Sequence, residues 1–214
     1  MLLFIFDMDD VLYDYDWRVR MDGLTELTGL TIPQLRERWW QDGAKERAEA
    51  GGFADADAYL DAFNRALGVS VSEEDWVRVR GSAMTPWPES IAAVERAKQL
   101  GRVTLLTNNG PLTAKHLRSL APELVSVFGD DLYTSSDYGA RKPDPEVFTA
   151  VLEQYDAKPE DAFFADDLLT NIEGALSVGI TAHLFTDAAK LLTAIEEFAA
   201  LRAGSGSRSL RAPD

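Results

Sequence analysis

Short apolar runs that stop abruptly at polar or acidic residues recur along the chain. They are LLFIF (2–6), RVTLL (102–106), AFFA (162–165) and ITAHLF (180–185). From residue 88 onward, segments with helical spacing of apolar positions separate these runs. Apolar runs of this length between helices are typical of parallel strands covered on both faces. The pattern predicts an α/β fold with a doubly wound parallel sheet, and a weaker strand within 124–136, at either LVSVFG or LYTSS.

Residues 14–85 break this alternation, because they contain helical segments and no clear strand. Thr31 and Gln34 have the spacing of a capping box. Asp55 and Ser72 are positioned to cap two further helices, the first of which ends at Gly68. We therefore predict three parts. They are an α/β core domain (1–13 and 86–202), an all-helical cap domain (14–85) and a flexible C-terminal tail (203–214).

Composition narrows the possible partners and the possible chemistry. The net charge of −15 argues against nucleic acid polymers and anionic membranes, which attract surplus Lys and Arg. The chain has no cysteine and only two histidines, which argues against disulfides, thiol catalysis and a histidine metal centre. A bound metal is then expected to be a hard cation such as Mg²⁺.

The first residues, MLLFIF, are too short an apolar run for a signal sequence and lack a preceding basic region. No stretch approaches the length of a membrane span. We expect a cytoplasmic protein without a membrane partner.

Polar residues follow three of the apolar runs directly. Asp7 and Asp9 follow the first, Thr107 and Asn108 the second, and Asp166 and Asp167 the third. The carboxyl ends of parallel strands line one crevice, so these residues are expected to meet there. Lys142 precedes a helix start and supplies the cation that such an acidic cluster needs.

Together these residues can perform phosphoryl transfer. Asp7 is the candidate nucleophile, which forms an aspartyl-phosphate, and Asp9 the candidate general acid and base. Thr107 and Lys142 are positioned to stabilise the phosphoryl oxygens. Backbone N–H groups after the strand turns complete the cradle. The candidate phosphate-binding residues are Asp7, Met8, Asp9, Thr107, Asn108 and Lys142, and the candidate Mg²⁺ ligands are Asp7, the Asp9 carbonyl, Asp166 and Asp167.

Four segments resemble the four motifs of the haloacid dehalogenase (HAD) superfamily. They are DMDDV, LLTNN, RKPDPEVF and FFADDLLTNIEGA, in the family's order. The resemblance implies a HAD-like core, with the insert between the first two motifs as a helical C1 cap (subfamily I). The last two motifs look closest to the glucose-1-phosphatase-like branch and to the phosphatase domain of soluble epoxide hydrolases.

The sequence departs from the family pattern at two positions. Asp10 stands where the family often has Gly, and Asn171 where it often has a further Asp that supports the metal. We expect Asp10 and Asp14 to be solvent-facing or structural, and His116 to be structural. The cap is where the family's architecture places substrate selection, and it contains Arg18, Arg20, Trp39, Trp40, Lys45 and Arg47. We expect these residues to form a solvated basic face with core tryptophans rather than a substrate-selecting surface.

The sequence therefore predicts a Mg²⁺-dependent phosphatase, monomeric or homodimeric. Its substrate is expected to be a small phosphorylated metabolite, a sugar phosphate or a nucleotide monophosphate. A phosphomutase of the β-phosphoglucomutase type uses the same groups. A 2-haloacid dehalogenase needs no acid at Asp9, whose presence argues against it. Intact Asp7, Asp9 and Lys142 argue against a non-catalytic regulatory domain.

Overall fold

A parallel sheet with helices on both faces is the centre of the computed structural model, which describes residues 1–206 and the side chains of residues 1–204. The strands in chain order are β1 (Leu3–Phe6), β2 (Tyr13–Tyr15), β3 (Met84–Pro86), β4 (Arg102–Thr107), β5 (Leu132–Thr134), β6 (Ala162–Asp166) and β7 (Thr181–Leu184). Five of them form the parallel sheet, in the order β5-β4-β1-β6-β7. The predicted α/β fold with a doubly wound parallel sheet is confirmed.

Eleven α-helices accompany the strands in the described part of the chain. They are α1 (Trp17–Thr28), α2 (Ile32–Leu35), α3 (Ala44–Glu49), α4 (Ala56–Leu67), α5 (Glu73–Gly81), α6 (Pro88–Leu100), α7 (Pro111–Leu120), α8 (Pro122–Phe128), α9 (Pro145–Gln154), α10 (Leu169–Ser177) and α11 (Ala188–Gly206). A π-helical segment (Arg36–Trp40) follows α2 directly.

The alternation of side chains along β1 explains why both of its faces are apolar. Phe4 and Phe6 pack against α6, α8 and α11, whereas Leu3 and Ile5 pack against α9 and α10. All four side chains are buried. A central strand with helices on both sides must be apolar at every position, which is the pattern that the sequence shows.

The weak strand within 124–136 is LYT (132–134), and LVSVF lies in α8. Pro122 opens that helix at its first turn, where a proline is tolerated. Gly129 follows its end with a φ of 63°. These two residues make the segment a short helix despite its apolar run.

The helices α1 to α5 surround a hydrophobic cluster of their own, centred on Trp39. The predicted caps are present. The Asp55 carboxylate accepts a hydrogen bond from the Ala58 N–H (2.8 Å), and the Ser72 hydroxyl accepts one from the Asp75 N–H (3.1 Å). Local signals thus determine where these helices begin, and packing around Trp39 stabilises them.

The helical insertion also contains strand residues, which the sequence analysis missed. β2 and β3 pair antiparallel, with Tyr13 opposite Pro86 and Tyr15 opposite Met84. Strands of three residues are too short to show a period of two in the sequence. The predicted cap boundaries, residues 14 and 85, fall inside this two-stranded ribbon.

The last helix is longer than expected. The sequence predicts its end near Leu201 and a flexible tail from residue 203, but α11 extends to Gly206. The remainder of the predicted tail, residues 207–214, lies outside the described residues. Among residues 1–206, no helix is long and apolar enough to span a membrane.

Candidate active site

Three neighbouring strands of the sheet bring the predicted residues to one edge. Asp7 directly follows β1, Thr107 ends β4 and Asp166 ends β6, and β1 lies between the other two. The Asp7 N–H donates to the Ala165 carbonyl (3.0 Å), which extends the pairing of β1 with β6 by one residue. All three side chains are buried. Parallel pairing therefore converts separate sequence motifs into one cluster.

Lys142 is the cation of this cluster. Its Nζ lies 2.6 Å from Asp166 Oδ2 and 2.9 Å from Asp7 Oδ1, and its side chain is fully buried. Burial alone would lower the pKa of Lys142, but the two carboxylates outweigh it and hold that pKa above its usual value. Lys142 is therefore a positively charged group between the two aspartates.

Asn108 holds the backbone of Lys142. Its amide nitrogen donates to the Lys142 carbonyl (2.8 Å), and its amide oxygen accepts from the Lys142 N–H (2.9 Å). These two bonds make the Asn108 side chain a positioning group for Lys142. Asn108 stays a predicted phosphate-binding residue, because its amide nitrogen carries a second N–H that neither bond uses.

Asp166 is fixed from several sides. Its carboxylate accepts hydrogen bonds from the Leu168 N–H (2.9 Å) and from the Asn171 amide (2.9 and 3.1 Å). Burial would raise the pKa of Asp166, but Lys142 and these donors together hold it below its usual value. An aspartate at position 171 could not donate these hydrogen bonds to Asp166. This is a local reason for an asparagine at a position where the family often has Asp.

Three carboxylates have the arrangement of a candidate cation site. Ligand oxygens of Asp7, Asp166 and Asp167 all lie within 4.8 Å of one another. Burial raises the pKa of Asp7 well above its usual value, and burial with the charges of Asp166 and Asp10 raises the pKa of Asp167 to about 6. Asp7 Oδ1 is buried and lacks an aligned hydrogen-bond donor, since Lys142 contacts it in ion-pair geometry only. Excess negative charge and an oxygen-only donor set fit a hard divalent cation.

Thr107 and Met8 contribute in different ways. The Thr107 Oγ1 accepts a hydrogen bond from the Asn109 amide (2.9 Å), which orients the hydroxyl. Asn109 was not among the expected residues. The Met8 side chain is buried in the sheet core, so any contact of Met8 with a phosphoryl oxygen must involve its backbone.

Asp9 has a partner that the sequence analysis missed. Arg80, near the end of α5, directs Nη2 at both carboxylate oxygens of Asp9, at 2.8 and 2.6 Å. The Arg80 guanidinium also lies over the ring of Tyr15, 4.0 Å from its centroid. An arginine near a helix end has no sequence signal that distinguishes it from the many solvated ones, and only the fold brings it to Asp9.

Asp10 adopts the left-handed backbone conformation, with a φ of 59°. Glycine adopts this conformation without cost, and aspartate tolerates it better than most residues. The Asp10 side chain is exposed, and it accepts a hydrogen bond from the Tyr15 N–H (3.3 Å). This backbone requirement explains why glycine is common here in the family, and it gives Asp10 a structural role.

A cavity of about 380 Å³ lies between these strand ends and the helical insertion. From the predicted basic face, Arg18 and Arg47 are exposed and Trp39 is buried, as expected. Arg20 contradicts the expectation, because it is 5% exposed and lines the cavity. It packs over the ring of Trp76, which explains the burial. Trp40 and Lys45 also line the cavity.

The chain resembles known hydrolases along most of its length. A family model described as haloacid dehalogenase-like hydrolase matches residues 1–179. Phosphatase MT3486 of Mycobacterium tuberculosis is 30% identical over 188 residues, which cover 84% of this chain and 85% of that protein. Sesquiterpene phosphatase astK of Aspergillus oryzae is 29% identical over 185 residues, covering 86% and 89%.

A solved structure shares the fold. It is the HAD family enzyme bt-2542 of Bacteroides thetaiotaomicron in complex with magnesium and inorganic phosphate. The TM-score is 0.72 at 20% identity, over 87% of this chain and 94% of that one. The strand order and the match of the family model agree, and the chain belongs to the haloacid dehalogenase-like hydrolases.

Proposed function

We propose that the protein is a Mg²⁺-dependent phosphatase that hydrolyses a small phosphate monoester through an aspartyl-phosphate on Asp7. The observation that carries the proposal is the contact of the buried Lys142 ammonium with both Asp7 and Asp166 at the strand ends. Such a cluster supplies a nucleophile, a fixed positive charge and hard oxygen ligands in one place. Magnesium and phosphate in the similar bt-2542 structure support the same chemistry.

In the first half-reaction, an Asp7 carboxylate oxygen attacks phosphorus and the bond from phosphorus to the ester oxygen breaks. Asp9 gives a proton to the departing oxygen, so the leaving group departs as an alcohol. In the structure both Asp9 oxygens face Arg80, so Asp9 must turn one of them toward the leaving oxygen. Lys142 and the Thr107 hydroxyl face the phosphoryl oxygens and neutralise the charge that develops on them.

In the second half-reaction, the Asp9 carboxylate takes a proton from water, and the resulting oxygen attacks phosphorus. The bond from phosphorus to Asp7 breaks, which releases inorganic phosphate, restores the Asp7 carboxylate and leaves Asp9 protonated for the next cycle. The Asp7, Asp166 and Asp167 carboxylates, with the Asp9 carbonyl, would hold Mg²⁺, which supplies positive charge against the phosphoryl oxygens.

Residues 14–85 act as a C1 cap in this proposal, which assigns the chain to subfamily I. The cap covers the strand ends, and its closure excludes bulk water from the phosphoenzyme. A cavity of about 380 Å³ suits a metabolite-sized ester better than a phosphoprotein.

A screen of sugar phosphates, nucleotide monophosphates and p-nitrophenyl phosphate tests the activity, with Mg²⁺ and with excess chelator. We expect phosphate release that requires Mg²⁺. Acid quenching during turnover should yield a phosphorylated peptide that contains Asp7. Asp7→Asn should abolish both results with its fold intact by circular dichroism. Full activity of that variant would disprove the nucleophile assignment.

Product analysis distinguishes the alternatives. An isomerised sugar phosphate in place of free phosphate would indicate a phosphomutase. Chloride release from 2-chloropropionate without Mg²⁺ would indicate a dehalogenase. Failure to bind Mg²⁺ or to hydrolyse any ester would indicate a non-catalytic domain.

A further inference from the structure

Arg20 in α1 is a buried cation without a counterion. It is 5% exposed, and it lines the cavity above the strand ends. Its Nη1 is buried without a hydrogen-bond partner, and no carboxylate in the described part of the chain forms an ion pair with its guanidinium. A buried charge without a counterion is costly, because burial removes most of its water and no carboxylate takes the place of that water.

The other cations of the cavity wall all have carboxylate partners. Arg80 binds Asp9. Lys45 and Arg141 both bind Glu49, at 2.5 and 2.8 Å. Arg20 is thus the exception among the four basic residues that line this cavity in the described structure.

The neighbours of Arg20 fix its orientation without neutralising it. Its guanidinium carbon lies 4.5 Å from the centroid of the Trp76 ring. Stacking of this kind stabilises a cation modestly and holds the guanidinium plane in place. Arg20 lines the same cavity as Asp9, Tyr15 and Arg80, and Asp9 is the proposed donor of the proton to the leaving group.

A fixed planar guanidinium in a cavity suits a planar or tetrahedral anion. Arginine presents parallel N–H donors that match the oxygens of a carboxylate or a phosphate. The phosphoryl group that reacts is already served by Lys142 at the strand ends. The unpaired charge of Arg20 therefore remains for a different part of the same substrate.

We propose that Arg20 binds a second anionic group, a carboxylate or a second phosphate, on the leaving group of the substrate. This inference rests on the proposed phosphatase function and specifies its substrate class as small phosphate esters that carry a second anionic group. Arg20 is a specificity-determining residue, and the substrate supplies the counterion that the protein lacks.

Matched esters test the proposal. Phosphoglycolate and ethylene glycol bisphosphate carry a carboxylate or a second phosphate, and ethyl phosphate carries neither. We expect wild-type kcat/KM to favour each ester with a second anionic group over ethyl phosphate by about 10-fold or more, a difference of about 1.4 kcal/mol. The ester with the higher ratio identifies the anion. In Arg20→Met both ratios should fall toward one, and in Arg20→Lys they should fall only in part.

Arg18→Met is the matched control, because Arg18 lies two residues away in α1 and is exposed. It should keep the wild-type ratios. If Arg20→Met lowers kcat/KM for all three esters equally, the role of Arg20 is structural and the proposal is wrong. Equal wild-type rates for the three esters would also overturn it.

Calorimetry on Asp7→Asn separates this inference from the proposed function, because that variant cannot form the phosphoenzyme. Phosphoglycolate or the bisphosphate should bind it about 10-fold more tightly than ethyl phosphate, and adding Arg20→Met should remove the difference. Selective binding without turnover by the wild type would support the anion site while overturning the phosphatase proposal. Turnover of p-nitrophenyl phosphate without selective binding would overturn the anion site alone.

Discussion

Arg80 and Asp9 form an ion pair whose members differ in burial. The Arg80 side chain is 3% exposed and that of Asp9 is 24% exposed, although Nη2 of Arg80 contacts both Asp9 oxygens. Attraction to Asp9 raises the pKa of Arg80 above its usual value, against the opposing effect of burial. The carboxylate thus stabilises a cation that is more deeply buried than the carboxylate itself.

Removing the carboxylate should therefore destabilise the protein more than removing the cation. Asp9→Ala leaves a buried unpaired guanidinium and should lower the free energy of unfolding by about 3 kcal/mol. Arg80→Met leaves a carboxylate that water can reach and should cost less. Denaturant unfolding of the two single variants and the double variant measures the difference.

Arg78→Met is the control for this comparison, because Arg78 pairs with Asp75 on the exposed side of the same helix. It should leave the stability unchanged. Equal losses for Asp9→Ala and Arg80→Met would contradict the reasoning from burial.

Asn171→Asp should make the stability of the protein depend on Mg²⁺. The change removes two hydrogen bonds to Asp166 and places a second carboxylate against it, which should cost about 2 kcal/mol in metal-free protein. Saturating Mg²⁺ should restore much of this loss, since the cation offsets the repulsion between the carboxylates. Thermal unfolding with Mg²⁺ and with chelator measures both effects.

Asn64→Asp serves as the comparison, because Asn64 bonds the backbone of Val71 within the helical insertion. Its loss of stability should be the same with and without Mg²⁺. If the loss in Asn171→Asp is also independent of Mg²⁺, Asp166 is not a metal ligand.

Asp10 should be replaceable by glycine but not by a β-branched residue. Asp10→Gly relieves the left-handed backbone and loses one hydrogen bond to Tyr15, so we expect a change within about 0.5 kcal/mol. Asp10→Val should cost about 1–2 kcal/mol, because the branched side chain resists a positive φ. Asp14→Val, at an exposed position in β2, should show no comparable loss in urea unfolding.

His183 should make the protein less stable in mild acid. Burial lowers the pKa of His183 below its ordinary value of 6.5, and the nearby charges of Asp187 and Lys190 act in opposite directions. The unfolded chain then binds a proton at a pH where the folded chain does not. Stability should fall as pH drops below about 6.5 and should not depend on this group above it.

Urea unfolding at about pH 5 and pH 8 measures the effect, with His183→Asn as the comparison. The free energy of unfolding should fall less between about pH 8 and pH 5 in the variant than in the wild type. Glu197 and Arg202 line the same surface pocket as His183, so the salt concentration must be held constant. An identical pH dependence in both proteins would show that His183 binds its proton equally well in the folded state.

Much of the candidate site could be predicted from the sequence, because its residues directly follow strands. An apolar run that stops at Asp7, Thr107 or Asp166 reveals both the strand and the end at which ligands bind. Lys142 could be predicted in the same way, because it lies three residues before Pro145, where α9 begins. For these residues, the sheet topology adds only the order of the strands.

The residues that the sequence could not reveal act across the fold. Arg80 and Arg20 reach the site from helices of the insertion, and nothing in a helical period tells a buried arginine from a solvated one. The clamp of Asn108 on the backbone of Lys142 joins segments 34 residues apart. Pairings of this kind arise from tertiary packing, which a single sequence does not encode locally.

The ribbon of β2 and β3 has a consequence for how this protein can be re-engineered and how it can diverge. The chain leaves the sheet domain and returns to it through two hydrogen-bonded neighbours, Tyr13–Tyr15 and Met84–Pro86. A different insert would enter and leave at this one place, but it would have to keep the ion pairs of Glu49 with Arg141 and of Arg80 with Asp9, which join the present insert to the surroundings of the site. A graft that keeps these two ion pairs would change which molecules are admitted while the reacting groups keep their supports. Selectivity can thus be redesigned through the insert, with the chemistry left to the sheet domain.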